Sequence, residues 1–355
     1  MPSYDNPLTL GRGTVAVVTG AGSGMGRELA LLCARRGCHV AGCDVNQEPM
    51  AETVALCKAA APDASAQRFY GHVCDVSSAE ACVGFSEATA AELGAPHINV
   101  LLCDAPALQL SSALSHKSRL LCSNNAGFGG DASLFKDDDV FDAILDVNLH
   151  GVINMTRAFR DALVAAEQSA LVNTSSISGF HVNAGVAYST SKFAVRGLTE
   201  GLVKDFATHA PHVTVHCVMP GYIATDIGLY STIANYKIHH NGQAPRQELI
   251  DRWAEATKSF SENPLGLPQQ DAAEIIVNGV EDGEWAILVG DDAEALDKAV
   301  RSLPLGGMYF ESGGPPGLND TDGIGNLSLG LAQHGDPSYE PGRQTQLERR
   351  RRAKL

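Results

Sequence analysis

Tyr188 and Lys192, four residues apart in the segment YSTSK, are the side chains of this chain best suited to acid–base chemistry. Positions i and i+4 of a helix share a face, so the Lys192 ammonium can lie near the Tyr188 phenol. A phenol ordinarily loses its proton near pH ~10, and a neighbouring cation lowers that pKa towards the neutral range. Ser175 and Ser176, thirteen and twelve residues upstream, offer hydroxyls that could hydrogen-bond a reacting oxygen. The pattern therefore predicts proton transfer at a carbonyl or an alcohol.

A glycine-rich loop near the N-terminus predicts a dinucleotide site. The apolar, β-branched run at 14–18 precedes the segment TGAGSGMG at 19–26, and a helical segment at 27–36 follows and ends at Gly37. In this order of strand, loop and helix, glycines let the backbone approach a pyrophosphate, and the helix N-terminus offers unpaired N–H groups and the positive end of its dipole.

Five motifs occur along the chain in the order TGxxxGxG, NNAG, SS, YxxxK and PG, at 19–26, 124–127, 175–176, 188–192 and 220–221. Over residues 12 to 302 this series resembles the classical short-chain dehydrogenase/reductase family. The resemblance implies a Rossmann-type α/β fold and an NAD(P)-dependent oxidoreductase that acts on CH–OH groups. The alternation of apolar strands and helical segments also indicates one doubly wound parallel sheet, in a single domain over residues 1–310.

The resemblance implies four catalytic residues: Asn148, Ser176, Tyr188 and Lys192. Asn148 lies in the matching segment DVNLHG and would bind a water that links Lys192 to bulk solvent. Two serines compete for the fourth position, because relatives usually have the catalytic serine thirteen positions before the tyrosine. That interval selects Ser175, whereas the pattern SSxxG selects Ser176; we favour Ser176 and keep Ser175 as the alternate.

The coenzyme implied by the resemblance is NAD. Asp44 ends the second predicted strand, where a carboxylate accepts the ribose hydroxyls and repels a 2′-phosphate. Relatives that use NADP often carry a basic residue at the position of Ser23. The cofactor-binding residues implied are Gly20, Ser23, Gly24, Met25, Gly26, Asp44, Asp75, Val76, Asn125, Ala126, Gly127, Tyr188, Lys192, Ile223 and Thr225.

Residues 103–123 form an atypical insertion before the NNAG motif. The fourth strand is expected at 98–102, directly before that motif, and the tripeptide Leu-Leu-Cys occurs at both 101–103 and 120–122. A surface loop is one explanation, and a translated retained intron or an error in the gene model is the other. The intron is favoured, because structureless loops of this length are uncommon in compact domains. If the segment is genuine, either copy of Leu-Leu-Cys could end the fourth strand.

Two further segments lie outside the core motifs. Residues 226–265 follow the PG motif and carry several aromatic side chains, and the resemblance implies that they cover the substrate. Residues 311–355 are rich in Gly, Asn, Asp and Ser, which predicts a disordered tail. That tail ends in Ala-Lys-Leu, which resembles a peroxisomal targeting tripeptide read by an import receptor. The arginines at 349–352 could instead be a nuclear signal or a solvated run; peroxisomal localisation is favoured, with the cytoplasm as the alternative.

Composition narrows the remaining classes of function. The net charge of −15 disfavours a nucleic-acid partner. The chain has no apolar run of the ~20 residues that a membrane span needs, and residues 1–12 lack the apolar stretch of a signal peptide. The nine cysteines lack CxxC spacing, and the pair His239–His240 lacks ligand partners nearby in sequence, so no metal site is expected.

Two functions from different classes remain open. The first is an NAD-dependent oxidoreductase that transfers a hydride between nicotinamide and a secondary alcohol or ketone. The peroxisomal targeting tripeptide and the aromatic side chains of residues 226–265 suggest a lipid-derived substrate, such as a hydroxyacyl thioester or a sterol. The second is a catalytically inactive NAD-binding scaffold whose site is distorted by the insertion at 103–123. The resemblance also implies a homo-oligomer.

Overall fold

The computed structural model describes residues 4, 7–93, 119–129, 132, 134–135, 138–182, 185–261, 266–302 and 346–353. Within them, seven parallel strands form one sheet in the order β3-β2-β1-β4-β5-β6-β7. The strands are β1 Thr14–Thr19, β2 His39–Asp44, β3 Phe69–Val73, β4 Arg119–Asn124, β5 Gln168–Thr174, β6 Val213–Pro220 and β7 Ala286–Val289.

Helices cover both faces of this sheet. They are α1 Gly24–Arg35, α2 Gln47–Ala60, α3 Ala79–Glu92, α4 Asp138–Leu145, α5 Gly151–Ala165, α6 Val186–His209, α7 Ile227–His239, α8 Gln247–Ser261, α9 Gln269–Glu281, α10 Asp291–Ser302 and α11 Gln346–Ala353. A π-helical turn at Asp146–His150 joins α4 to α5, and a short 3-10 turn spans Ile177–Gly179. In the described part of the chain, no helix is both long and apolar enough to cross a membrane.

The central strands are buried on both faces, which is why they consist of nearly continuous apolar runs. Every residue of β1 and of β6 is buried. One layer of the core joins α1 and α9 to the sheet, and the other joins α3 and α5 to its opposite face. Parallel sheets need this cover on both sides. The predicted fold, a doubly wound α/β sheet of the Rossmann type, is confirmed.

The strand order changes direction between β1 and β4, which are neighbours in the sheet although β2 and β3 separate them in sequence. At such a switch point the loops that leave the carboxyl ends of the two strands turn apart and open a crevice. The glycine-rich loop follows β1 and the NNAG segment follows β4. The fold therefore brings these two motifs to opposite sides of one cleft.

The fourth strand is formed by the second copy of Leu-Leu-Cys. Leu120, Leu121 and Cys122 lie in β4, in register with β1 on one side and β5 on the other. The final five residues of the predicted insertion are thus part of the sheet, whereas the strand expected at 98–102 lies outside the described residues. Sequence spacing could not choose between the copies, because both contain the same apolar residues.

The end of the tail differs from the prediction of disorder. Residues 346–353 form helix α11, in which Gln346 and Leu347 are buried against the body of the protein. Composition predicts disorder here because the segment is polar and charged. That argument considers the segment alone, whereas its arginines pair with acidic side chains of the body, as described below. The other tail residues, 311–345, lie outside the described part of the chain.

Candidate active site

The glycine-rich loop turns sharply between β1 and α1. Gly20 and Gly24 have φ angles of +62° and +56°, which side chains larger than hydrogen rarely allow. A Cβ on Gly26 would lie 2.2 Å from the Gly20 carbonyl oxygen, so the first turn of α1 packs directly on the loop. Ser23 precedes α1 in extended conformation and makes no side-chain cap, while Met25 packs partly buried on the core. The first N–H groups of α1 therefore point into the cleft without a side-chain acceptor from Ser23.

Thr19 ties the two motif loops together. Its hydroxyl oxygen accepts hydrogen bonds from the backbone N–H groups of Asn125 and Ala126, both at 2.9 Å. The Asn125 amide nitrogen donates to the Thr19 carbonyl at 3.3 Å, and the Asn125 side-chain oxygen is buried without a partner among the described residues. Thr19 had no role in the sequence-based assignment, although it is the first residue of the motif.

Asp44 closes the outer side of the glycine loop. Its carboxylate accepts hydrogen bonds from the Gly22 N–H at 3.1 Å and from the Asn46 N–H at 2.9 Å. The Gly22 carbonyl in turn accepts from the Arg27 guanidinium at 2.6 Å, and Arg27 pairs with Glu52 at 2.7 Å. Asp44 thus lies at the end of β2 against the glycine loop, and Arg27 is a loop-supporting residue that sequence reasoning missed.

Asp75 and Val76 follow β3 at the same end of the sheet. The Asp75 carboxylate is exposed and accepts from the Ser77 N–H and hydroxyl, at 2.9 and 2.7 Å. Val76 is buried, and its carbonyl accepts from the Asn154 amide at 3.0 Å. Asn154 therefore fixes this segment from α5. Its position within a helix gave no sequence signal.

Tyr188 and Ser176 meet at the entrance of α6. The Ser176 side chain lies near the half-buried Tyr188 phenol and lowers its pKa. Ser175 faces away from this pair, since its hydroxyl donates to the Lys192 backbone carbonyl at 2.8 Å. The structure thus brings Ser176, and not Ser175, to the phenol.

The pKa of Tyr188 moves in the opposite direction to the one expected from a neighbouring cation. Burial raises it, and the Ser176 side chain offsets only part of that rise. The Lys192 ammonium lies 5.5 Å from the centre of the Tyr188 ring and donates to the Thr174 carbonyl at 3.0 Å. Burial also lowers the pKa of Lys192 to about 8. The expectation of a lowered tyrosine pKa is therefore wrong for the protein alone, because desolvation of the phenolate is the largest influence on the Tyr188 pKa.

Asn148 occupies the π-helical turn and is completely buried. Its side-chain oxygen accepts from the Phe128 N–H at 3.0 Å, and its amide nitrogen donates to the Ser191 hydroxyl at 3.1 Å. A Cβ on Gly127 would lie 3.1 Å from the Asn148 oxygen and 3.5 Å from the Lys192 ammonium. Asn148 and Lys192 therefore both lie close to Gly127 of the NNAG loop. Single-turn π segments in helices frequently mark functional sites.

The segment after β6 forms the far wall of the cleft. Ile223 pairs with Leu267 in an isolated bridge, and the methyl group of Thr225 lies 3.6 Å from the position of a Cβ on Gly24. The Tyr222 N–H donates to the buried Asp292 carboxylate at 2.6 Å. Burial raises the pKa of Asp292 to about 6. Asp292 is the residue that anchors this wall, and nothing in the sequence motifs pointed to it.

Helix α7 crosses above the cleft. It follows Thr225 directly, and its Ser231 hydroxyl accepts from the Gly129 N–H at 2.9 Å. Gly129 lies close to the Tyr188 ring, because a Cβ there would be 3.8 Å from it. Helix α8 packs on α7, with Trp253 against Tyr236. The described part of the predicted lid segment 226–265 thus contains two helices, of which α7 contacts Gly129 beside the Tyr188 ring.

The cleft fits a dinucleotide on three observations. A Cβ on Gly22 or on Gly26 would collide with Asp44 or with the Gly20 carbonyl, so only glycines allow this tight loop after β1. The N-terminus of α1 offers donors for a pyrophosphate, and Asp44 supplies an acceptor for ribose hydroxyls. The orphaned side-chain oxygen of Asn125 lies at the boundary of the two loops.

Comparison with known proteins decides the family. The family model for short chain dehydrogenase matches residues 14–232. The chain belongs to the short-chain dehydrogenase family. SadH of Mycobacterium tuberculosis (strain CDC 1551 / Oshkosh), a protein provisionally assigned as an oxidoreductase, is 34% identical over 82% of this chain and 91% of its own length. Family membership identifies the chain as an oxidoreductase that acts on CH–OH groups.

Two other relatives of this short-chain dehydrogenase are informative. The (3R)-3-hydroxyacyl-CoA dehydrogenase of Canis lupus familiaris is 32% identical over 62% of this chain and 77% of its own length. The crystal structure of a short chain dehydrogenase/reductase from Burkholderia phymatum in complex with NAD superposes with a TM-score of 0.63 at 25% identity. That match covers 79% of this chain and 90% of the Burkholderia protein.

Proposed function

We propose that this short-chain dehydrogenase uses NAD to interconvert a secondary alcohol and its ketone, with Asn148, Ser176, Tyr188 and Lys192 as the catalytic group. The single observation that carries the proposal is the grouping of the Lys192 ammonium, 5.5 Å from the Tyr188 ring, with the Ser176 side chain near the Tyr188 phenol. A reacting oxygen placed between Ser176 and Tyr188 would contact a hydrogen-bond donor and a proton-transfer group together.

Tyr188 transfers the proton in this proposal. Its raised pKa keeps the phenol protonated at neutral pH, so it can donate to the oxygen of a ketone. Ser176 holds the same oxygen and supports charge that develops there. In the reverse direction the Tyr188 phenolate must form before it can accept the alcohol proton, so oxidation is favoured by rising pH. Bound NAD supplies the hydride acceptor at nicotinamide C4.

Lys192 and Asn148 support that transfer. The Lys192 ammonium favours the phenolate electrostatically and is available to hold the nicotinamide ribose. Asn148 fixes the Phe128 backbone, next to Gly127, and the Cβ position of Gly127 is close to both the Asn148 oxygen and the Lys192 ammonium. We infer that it also orders the water through which Lys192 exchanges protons with solvent. The remaining coenzyme contacts of the proposal are those of Gly20 to Gly26, Asp44, Asp75, Val76, Asn125 to Gly127, Ile223 and Thr225.

We infer a lipid-derived substrate, such as a hydroxyacyl thioester or a sterol. Two observations support this class. A relative named (3R)-3-hydroxyacyl-CoA dehydrogenase shares 32% identity. Tyr230, on the helix that borders the site, is partly exposed, and Tyr236 and Trp253 lie farther along the lid helices. Apolar and aromatic side chains suit an acyl chain or a ring system.

A panel of secondary alcohols tests the proposed function. The purified protein is mixed with NAD and with 3-hydroxyacyl thioesters, sterols or short secondary alcohols, and NADH absorbance is followed. We expect turnover with at least one member of the panel. NAD binding without turnover on any substrate would instead favour the inactive scaffold, and absence of NAD binding would contradict both. The regular register of β4 and the intact contacts of Asn125 support the enzyme.

Asp44 is expected to set coenzyme choice. The carboxylate would accept ribose hydroxyls and repel a 2′-phosphate, which corresponds to a preference for NAD over NADP of at least ~2 kcal/mol, or ~30-fold in kcat/KM. Steady-state kinetics with both coenzymes measure the ratio. Asp44→Ala should bring it close to one, whereas Asp63→Ala, an exposed acid near Arg12, should leave it unchanged. Equal kcat/KM values in the unmodified enzyme would refute the assignment.

We infer peroxisomal import through the terminal Ala353-Lys354-Leu355, read by an import receptor. Removal of Leu355 alone should make a fluorescent fusion carrying residues 311–355 diffuse, because a receptor of this kind reads the last side chain and the carboxylate together. The unmodified fusion should form peroxisomal puncta. In the whole protein the same deletion should leave Tm and activity unchanged, since it spares α11. Nuclear accumulation of both fusions would assign the arginine run as the signal instead.

A homo-oligomer stays a prediction. Helix α6 supports it, because Phe193 is 42% exposed and the positions of Gly197 and Gly201 face open space. Val186, at the start of the same helix, is 51% exposed. A helix with an apolar side chain and small residues on its outer face can pack against a second copy.

A further inference from the structure

Helix α11 docks on the protein through two buried side chains. Gln346 is 2% exposed and Leu347 is 5% exposed. Leu347 joins the apolar core on the α1 and α9 side of the sheet. The Gln346 amide accepts from the Gly290 N–H at 2.7 Å and donates to the Leu288 carbonyl at 2.7 Å. Because the oxygen and the nitrogen of this buried side-chain amide are both hydrogen-bonded to backbone, Gln346 holds the two backbone groups at a fixed separation.

Three arginines complete the docking. Arg350 contacts Glu284 through two hydrogen bonds of 2.8 and 2.9 Å, in the bidentate geometry that makes such pairs strong. Arg351 pairs with Glu274 at 2.8 Å, and Arg349 pairs with Asp291 at 3.1 Å. The charges of α11 are therefore complementary to an acidic surface formed by α9, α10 and the residues next to β7.

The backbone groups that Gln346 holds are the Leu288 carbonyl of β7 and the Gly290 N–H of the turn between β7 and α10. This turn contains Gly290, whose φ angle is +111°, and it leads into Asp292. The Asp292 carboxylate fills the space beside Gly290 and Gly221, since a Cβ on either glycine would lie within 2.4 Å of its oxygens. Asp292 then accepts from the Tyr222 N–H at 2.6 Å. A continuous series of contacts leads from α11 to the segment after β6.

That segment forms the wall of the cleft opposite the NNAG loop, and Ile223 and Thr225 follow Tyr222 directly. We propose that α11 is a positioning element of the active site, in which Gln346 fixes the turn at Gly290 and, through Asp292, holds the Tyr222–Thr225 wall against the coenzyme cleft. This inference rests on the proposed function for its effect on turnover. Its structural part, that α11 restrains the Tyr222 amide, is independent of it.

The proposal is tested by deleting α11 and then adding the deleted segment back as a separate peptide. A chain ending at residue 345 should lose protection of the Tyr222 amide by ~10-fold or more in hydrogen exchange without coenzyme. Its kcat should fall by ~10–100-fold, as expected when reacting groups are misplaced by about 1 Å. A peptide of residues 344–355 should restore both, whereas the same peptide with Arg349, Arg350 and Arg351 changed to Glu should restore neither. Restoration in trans separates positioning from loss of folding.

A point variant covers the case in which the shortened chain does not fold. Gln346→Ala should reproduce the faster exchange at Tyr222 and the lower kcat with a smaller effect on NAD affinity, because the adenosine side of the cleft is distant from the turn. Glu348→Ala is the matched control, since this α11 side chain is exposed. Full protection at Tyr222 in Gln346→Ala or in the folded chain ending at 345 would overturn the proposal. Inactivity of the unmodified enzyme would contradict the proposed function only, because the exchange experiment still decides the role of α11.

Discussion

Replacing Tyr188 with phenylalanine is expected to lower kcat by about 10²–10⁴-fold, the usual contribution of a positioned proton-transfer group. The substitution removes only the hydroxyl that lies near Ser176, and the ring can still pack beside Lys192. NAD affinity should therefore stay within a few fold of the unmodified protein. Steady-state kinetics on the best substrate and a coenzyme titration measure the two quantities.

Tyr70→Phe provides the matched control for this variant. It removes a phenolic hydroxyl that contacts His72 at the edge strand, away from the cleft, so kcat should not change. A Tyr188→Phe enzyme that keeps more than about a tenth of kcat would show that another group transfers the proton.

Replacing Lys192 with methionine is expected to lower kcat by about 100-fold or more while it stabilises the fold at neutral pH. The loss of turnover follows from removing the cation beside Tyr188. The gain in stability follows from burial, which lowers the pKa of Lys192 to about 8 from 10.5 in the unfolded chain. Removal of this buried charge should raise the free energy of unfolding by about 1–3 kcal/mol, after allowance for the lost hydrogen bond to Thr174.

The pH dependence of that gain has a definite sign. The folded chain binds the Lys192 proton more weakly than the unfolded chain, so the buried ammonium costs stability below pH 8, and this cost disappears as pH rises from about 8 to 10.5. The Lys192→Met advantage in denaturant unfolding should therefore be largest below pH 8 and shrink above it. Lys204→Met, at an exposed position of the same helix, should show neither effect. A variant that is inactive but less stable at pH 7 would contradict this energetic argument.

Local periodicity explains why much of the site could be predicted from sequence. Tyr188 and Lys192 share a helix face whatever surrounds them, and the glycines at 20, 24 and 26 serve a turn that few other residues allow. Ser176 could be separated from Ser175 only in three dimensions, because the spacing to Tyr188 favours Ser175, the SSxxG pattern favours Ser176, and the directions of the two hydroxyls are not encoded in either. The pKa of Tyr188 likewise depends on burial by neighbours that are distant in sequence.

Elements fixed by distant contacts could not be predicted. Helix α11 looks like a solvated arginine run until its partners on α9 and α10 are known. Asp292 reaches Tyr222 across seventy residues of sequence. The position of β4 depended on which of two identical tripeptides pairs with β1 and β5, and pairing between strands is not encoded in either tripeptide alone.

Transfer of a labelled hydride tests the central claim most directly. The enzyme is incubated with NAD and an alcohol from the panel that carries deuterium on its carbinol carbon, and the reduced coenzyme is analysed by mass spectrometry. We predict that deuterium appears on the nicotinamide ring with the unmodified enzyme and is nearly absent with Tyr188→Phe. Binding of NAD with no deuterium transferred from any alcohol in the panel would contradict the assignment of this site as a dehydrogenase.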